Sequence, residues 1–155
     1  MMENKQFKQY LSKAMYWCSK SEKAVGDVLL KLKEWDVPES YHESIIEKLK
    51  EENFLNDERY ANAFANDKFK FNKWGKGKIK YTLQTKQVSD DAIWTALNHI
   101  DKNEYREVAL QLMKDKMRQT KEPDFYKLKQ KVYRFMASRG FESGMVFDLW
   151  EEIEH

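Results

Sequence analysis

Four kinds of residue in this 155-residue chain could carry chemistry: a thiol, scattered imidazoles, adjacent carboxylates, and lysines set beside aromatic rings. Cys18 is the single cysteine, so no internal disulfide and no multi-cysteine zinc site can form. It sits among Ala14, Met15 and Trp17 with no histidine near it in sequence, which fits a buried structural thiol better than a nucleophile. His42, His99 and His155 have no His or Cys neighbour at ligand spacing, so no metal site is expected. Asp90-Asp91 and Glu51-Glu52 are adjacent pairs, and neighbours on a helix do not face one another. Favourable charge at a helix start accounts for Asp90-Asp91 without catalysis. Gly75-Lys76-Gly77-Lys78 lacks the longer glycine spacing, the Lys-Ser/Thr ending and the preceding strand of a phosphate loop. Its glycines suit a turn between two helices instead. The expectation is a non-enzymatic protein with no catalytic residue, no cofactor and no metal.

The lysines carry more information. From Lys68 to Lys86 there are seven lysines and no Asp or Glu, while the whole chain has a net charge of only +2. The excess is therefore local. A second run, Lys127, Lys129, Lys131, Arg134 and Arg139, has no acidic residue between Phe125 and Phe141. Solvated helix faces normally mix signs, so two acid-free runs suggest an electropositive working surface. The candidate binding residues are Lys68, Lys70, Lys73, Lys76, Lys78 and Lys80 in the first run, and Lys127, Lys129, Lys131 and Arg134 in the second. Lys73, Lys76 and Lys80 form one stripe if their helix begins near Trp74. Such a surface could bind nucleic-acid backbone or dock onto a large protein–DNA assembly. Phe69, Phe71 and Trp74 could stack on bases, although core packing is the simpler assignment for them. A pI of about 8.4 is modest for a dedicated DNA binder and favours docking.

These residues must be positioned by helices. The chain has 5 Gly, 2 Pro and 35% charged residues, a composition that is helix-rich and soluble. No apolar run approaches the roughly 20 residues that span a bilayer, and Met1–Lys5 leads into no signal-like core. A cytoplasmic location is the default expectation. Helical periodicity predicts nine segments: about 4–17, a second capped by Ser19 or Ser21 and ended by Val37-Pro38, and a third opened by Ser40-x-x-Glu43 at capping-box spacing. A fourth runs over 57–71 with Asn56 or Asp57 as cap, then a fifth over 78–86, a sixth from Val88–Asp91, a seventh over 103–118, an eighth over 124–138 and a ninth from Glu142 or Ser143. No period-two alternation stands out, so no sheet is predicted.

A repeat runs through them. Val28, Leu32 and Val37, then Ile79, Leu83 and Val88, then Val132, Met136 and Phe141 share one internal spacing. Each set precedes a helix with a late apolar residue, Leu49, Leu97 or Trp150, and Tyr10, Tyr60 and Tyr105 mark the helix before each set. The period is about fifty residues, or three helices per unit, and units of this kind stack to bury what one cannot cover. The boundaries fall at 1–55, 56–101 and 102–155, and the fold class is all-α.

The stretch Phe54-Leu55-Asn56-Asp57-x-x-Tyr60-Ala61, followed by a basic aromatic helix and Gly75-x-x-x-Ile79, resembles the RecX family of bacterial regulators. Arg139-Gly140-Phe141 resembles the family's turn before the last helix of a repeat. In the first unit the family's Ser-x-x-Glu-Leu pattern reads Ala24-x-x-Asp27-Val28, so the serine cap is missing and its duty is expected at Ser21. The resemblance implies tandem three-helix repeats in an elongated, curved arrangement. It also implies binding to the recombinase RecA and its filament on DNA, with inhibition of ATP hydrolysis and strand exchange, in recombination, DNA repair and the SOS response. A monomer is expected, with no membrane partner. The alternative is a helical module that binds single- or double-stranded DNA directly. The acidic last helix, with Glu142, Asp148, Glu151, Glu152 and Glu154, could face a partner's basic groups or cap the last repeat.

Overall fold

The structure is a computed structural model that describes residues 2–154. His155, Met1, and the side chains of residues 2–4 and of Glu154 lie outside the described residues. Among the described residues there are nine α-helices and no strand: α1 (Met2–Lys20), α2 (Val25–Glu34), α3 (His42–Glu51), α4 (Asp57–Lys70), α5 (Lys76–Thr85), α6 (Asp90–Asn98), α7 (Lys102–Gln119), α8 (Phe125–Ser138) and α9 (Ser143–Glu154). The all-α class and the number of helices match the periodicity.

The helix starts show which side chains satisfy the free first-turn N–H groups. Asn56 Oδ1 accepts the Arg59 N–H at 2.9 Å, Asp101 Oδ2 the Glu104 N–H at 2.8 Å, and Asp124 Oδ1 the Lys127 N–H at 2.9 Å. Two starts differ from expectation. Ala24, not Ser21, takes the cap position of α2; having no side-chain oxygen, it is served by Asp27, whose carboxylate accepts the Ala24 N–H at 2.9 Å. Ser40 does not cap α3, because a short 3-10 turn over Glu39–Tyr41 leads in and Tyr41 holds the cap position without a side-chain bond.

The repeated apolar spacing has one structural cause. At the ends of α2, α5 and α8 the next residue but one turns left-handed: Asp36 at φ 59, Gln87 at φ 60 and Gly140 at φ 94. Their N–H groups bond Lys33, Gln84 and Ala137 carbonyls at 3.0 Å each. The following Val37, Val88 and Phe141 N–H groups reach back to Leu32, Leu83 and Met136 carbonyls at 2.9, 3.2 and 3.1 Å. This is the Schellman ending, which brings the residue after the turn against the one five positions earlier. All six of those side chains are buried, as are Val28, Ile79 and Val132 one turn before them.

By compactness the chain falls into two units. The first holds residues up to Ala63 together with Leu83–Thr95; the second holds Phe64–Thr82 and the chain from Ala96 on. In the first, α1 and α2 pack on α3 around Leu11, Ala14, Cys18, Val28, Leu32, Ile45 and Leu49. In the second, α7, α8 and α9 pack on one another, with Met113, Val132, Met136, Leu149 and Trp150 fully enclosed.

Candidate functional site

The lysine run of 68–80 occupies the end of α4, the turn after it and the first half of α5, all inside the second unit. Lys73 takes the left-handed conformation at φ 56 and α5 starts only at Lys76. The predicted stripe of Lys73, Lys76 and Lys80 is therefore interrupted: Lys73 lies in the turn, and only Lys76 and Lys80 share the helix.

Glycine builds the turn. Gly75 N–H donates to the Arg139 carbonyl at 2.6 Å and Gly77 N–H to the Gly140 carbonyl at 2.9 Å. A Cβ on Gly75 would overlap the Gly140 carbonyl carbon, and one on Gly140 would overlap the Lys78 backbone nitrogen. The Arg139 guanidinium donates to the Asn72 carbonyl at 2.6 Å. Tyr105 completes the joint: its hydroxyl accepts the Lys76 N–H at 2.8 Å and donates to Glu142 Oε1 at 2.7 Å. Burial, together with the Glu142 carboxylate, drives the Tyr105 hydroxyl far above the usual phenol range. It stays protonated and donating across the whole physiological range.

The lysine heads are arranged over rings. Lys78 Nζ lies 4.5 Å and Lys68 Nζ 5.0 Å from the centre of the Trp74 ring, and Lys76 Nζ lies 5.0 Å from that of Tyr105. An ammonium over an aromatic face gains without losing its charge. Lys70, Lys73 and Lys80 are exposed. None of these six lysines has a carboxylate within ion-pair distance among the described residues. Lys73 is the least independent, because its charge helps Gln111 and Arg118 to hold the Asp115 carboxyl below its usual range.

The α8 run differs. Lys131 is ion-paired with Glu122 at 2.9 Å, and that bond lowers the Glu122 carboxyl below its usual range. Lys129 lies 5.6 Å from the centre of the Tyr133 ring and 5.9 Å from that of Phe147. Lys127 and Arg134 are exposed. Sequence could not show this partial neutralisation, because Glu122 stands outside the acid-free window. Part of the acidic last helix is likewise engaged internally: Glu152 pairs with Arg106, and Glu142 with Tyr105.

The three aromatic stacking candidates separate. Phe69 is 2% exposed and packs on Tyr105 at 5.6 Å. Trp74 is half-buried between lysines and Phe64. Phe71 is 80% exposed, against the core assignment, because it closes α4 on the turn beyond the helix's buried stripe. Cys18 is buried as expected, and burial raises its thiol to about 11. No group of three or more His, Cys, Asp or Glu residues able to hold a metal occurs among the described residues. No helix among them is long and apolar enough to cross a membrane.

What these helices and lysines define is an all-α protein built on a recurring helix–turn device and presenting a lysine-rich face. Residues 56–97 match the second three-helix domain of RecX, and residues 103–150 match the third. The chain belongs to the RecX family, whose curated members are named regulatory proteins. Regulatory protein RecX of Clostridium botulinum strain Eklund 17B is 42% identical over 135 residues, 86% of this chain and 61% of that protein. The RecX of Clostridium acetobutylicum is 30% identical over 92% of this chain and 67% of its own length. The chain thus spans about three fifths of the length of the Clostridium botulinum relatives. A crystal structure of a regulatory protein RecX has a TM-score of 0.86 at 25% identity, covering 94% of this chain and 73% of that one. RecX from Lactobacillus salivarius, with a TM-score of 0.84 at 20% identity over 97% of this chain and 98% of its own, shares the fold.

Proposed function

We propose that this chain acts without catalysis, as a regulator that docks onto the RecA filament on DNA and restrains its ATP hydrolysis and strand exchange, with lysines 68–80 as the docking face. The observation that carries this is the set of six lysines free of carboxylate partners beside α8, where Lys131 is neutralised. Charge of one sign, held on a rigid helix and a glycine-locked turn, steers encounter with a polyanionic filament and fixes orientation. In this reading the chain is a cytoplasmic monomer of three repeats, 1–55, 56–101 and 102–155. A second reading, direct binding of single-stranded DNA, is favoured by Phe71, an exposed ring at the edge of the lysine cluster.

Reversal of the exposed pair, Lys70→Glu with Lys80→Glu, should leave helix content unchanged and weaken filament association about tenfold, mainly through slower encounter and altered salt dependence. Lys127→Glu with Arg134→Glu should have the smaller effect. A Lys70/Lys80 double variant that regulates strand exchange as well as wild type at physiological salt would remove this face from the mechanism. Equal affinity for bare single-stranded DNA and for the filament, with log affinity linear in log salt, would establish the second reading.

A further inference from the structure

The first unit carries a groove of about 850 Å³ that the lysine face does not touch. It is lined by Leu29, Leu30 and Val37 and by Thr85, Lys86 and Gln87 at and just after the end of α5. The walls are held in place by internal bonds. Gly26 N–H donates to the Lys86 carbonyl at 2.8 Å, Lys86 Nζ is paired with Asp27 Oδ1 at 2.8 Å, and His42 Nε2 donates to the Val37 carbonyl at 2.9 Å. A space of this size is in the range of ligand sites, and its fixed walls mean little ordering cost on binding.

Its charges select the occupant. Asp27 and Lys86 neutralise each other. That leaves Lys33 against two carboxylates, Asp36 and Glu39, neither of which has an ionic partner among the described residues. Asp36 sits on the left-handed turn and Glu39 opens the 3-10 turn three residues later, so both are held by short, fixed backbone. Leu30, which also lines the groove, is 70% exposed, an aliphatic side chain left in water. The net −1 of the free lining groups opposes the net +2 of the whole chain.

We infer that this groove docks a short segment of a partner protein that carries lysine or arginine next to an aliphatic residue. The aliphatic side chain covers Leu29, Leu30 and Val37, and the cation reaches Asp36 and Glu39. The chain then has two working surfaces of opposite character: a cationic one in its second unit and this acid-rimmed apolar one in its first.

The probe is a fluorescein-labelled hexapeptide, Ala-Leu-Lys-Arg-Leu-Lys, titrated by anisotropy against the full chain. A second peptide, Ala-Leu-Glu-Asp-Leu-Glu, tests the sign. The basic peptide should bind at least about tenfold tighter than the acidic one. Leu30→Ser, at an exposed position, and the double variant Asp36→Asn, Glu39→Gln should each weaken it by about tenfold or more; asparagine tolerates the left-handed turn. Unchanged circular dichroism would show that these variants are folded. No binding of the basic peptide at millimolar concentration, equal binding of both peptides, or full binding by the variants would overturn the proposal. The Lys70/Lys80 variant should bind the peptide like wild type, so failure of the lysine face and failure of the groove are separate results.

Discussion

Two joints in this molecule do the same job with different chemistry. In the first unit, the start of α2 meets the end of α5: Gly26 N–H donates to the Lys86 carbonyl, and the contact is sealed by the Lys86–Asp27 ion pair beside Tyr60. In the second unit, the start of α5 meets the end of α8: Gly75 and Gly77 donate to Arg139 and Gly140, and Tyr105 seals the contact between the Lys76 N–H and Glu142. Each bonds N–H groups at one helix start to carbonyls at another helix end, one bond in the first joint and two in the second, so opposite ends of two helix dipoles meet. The first joint has one glycine and a partly exposed ion pair. The second has three glycines, no ion pair among the described residues, and a buried hydroxyl bonded to one backbone N–H and one carboxylate. A partly exposed pair is weakened by screening, whereas backbone fit is not. The second joint should therefore be the stiffer one, and it is the one that supports the lysine face.

Glycine substitution should give the largest difference. Gly140→Ala forces an alanine into φ 94 and drives its Cβ into the Lys78 backbone, where no side chain can move aside. A loss of about 3–5 kcal/mol is expected in denaturant unfolding of the whole chain. Gly26→Ala places its Cβ 2.8 Å from the Lys86 carbonyl oxygen at an ordinary backbone angle, and a loss of about 2 kcal/mol is expected. Equal losses would mean that the two joints are equally tight and the comparison is wrong.

Removing the tyrosine hydroxyls should come next. Tyr105→Phe removes the hydroxyl that serves the partly buried Lys76 N–H and donates to the Glu142 carboxylate, and should cost about 1–3 kcal/mol. Tyr60→Phe leaves Lys86 and Asp27 paired to each other and should cost less than about 1 kcal/mol. Thermal unfolding of both variants reads this directly. A costlier Tyr60→Phe would make the ionic joint the stronger.

Much of this was legible in sequence, and what was not has a physical reason. The triplets ending in Val37, Val88 and Phe141 could be found by spacing because a Schellman turn fixes the distance between two buried residues, whichever residue turns left-handed. Only Gly140 is a residue type that signals such a turn, so the turns at Asp36 and Gln87 are not legible from the residues themselves. The Asn56 cap and the buried Cys18 follow from local rules. The joints did not, because Gly26 with Lys86 and Gly75 with Arg139 pair residues about sixty apart, and only the fold brings them together. Tyr60 and Tyr105 mark their helices in the sequence, yet their hydroxyls act on partners distant in the chain. The lysines were the reverse case: their charge was plain, but Lys73 near Asp115 and Lys131 on Glu122 show that freedom from neutralisation is a tertiary property. Asp36, Glu39 and Leu30 carried no signal at all, since a groove lined by mixed residues has no periodicity.

The smallest effect should appear in alkali, where each raised group begins to act at its own unfolded value. Lys86 is raised above its ordinary value, first by its bond to Asp27, and Tyr60 is raised by burial and then by the Asp27 charge. Cys18, in the same unit, is raised by burial from 9.0 to about 11. In all three the folded state holds the proton more tightly than the unfolded chain. Their stabilisation is therefore complete below the unfolded values and is lost as pH rises through the folded ones. Stability should be flat from neutrality to about pH 9, then decline in the Cys18 window of roughly 9–11, and fall further above about 10 as the tyrosines and then Lys86 lose their protons. Cys18→Ala should remove the first limb, and Lys86→Met should lessen the later decline and leave the earlier one in place. Tyr105 is shifted in the same direction, chiefly by burial, so its contribution too starts to be lost above the ordinary tyrosine value of about 10, and Tyr105→Phe should remove that share of the decline. Urea midpoints between pH 7 and 11 measure this. A decline between about pH 9 and 10 that Cys18→Ala leaves untouched would move the first alkali-sensitive group out of the first unit.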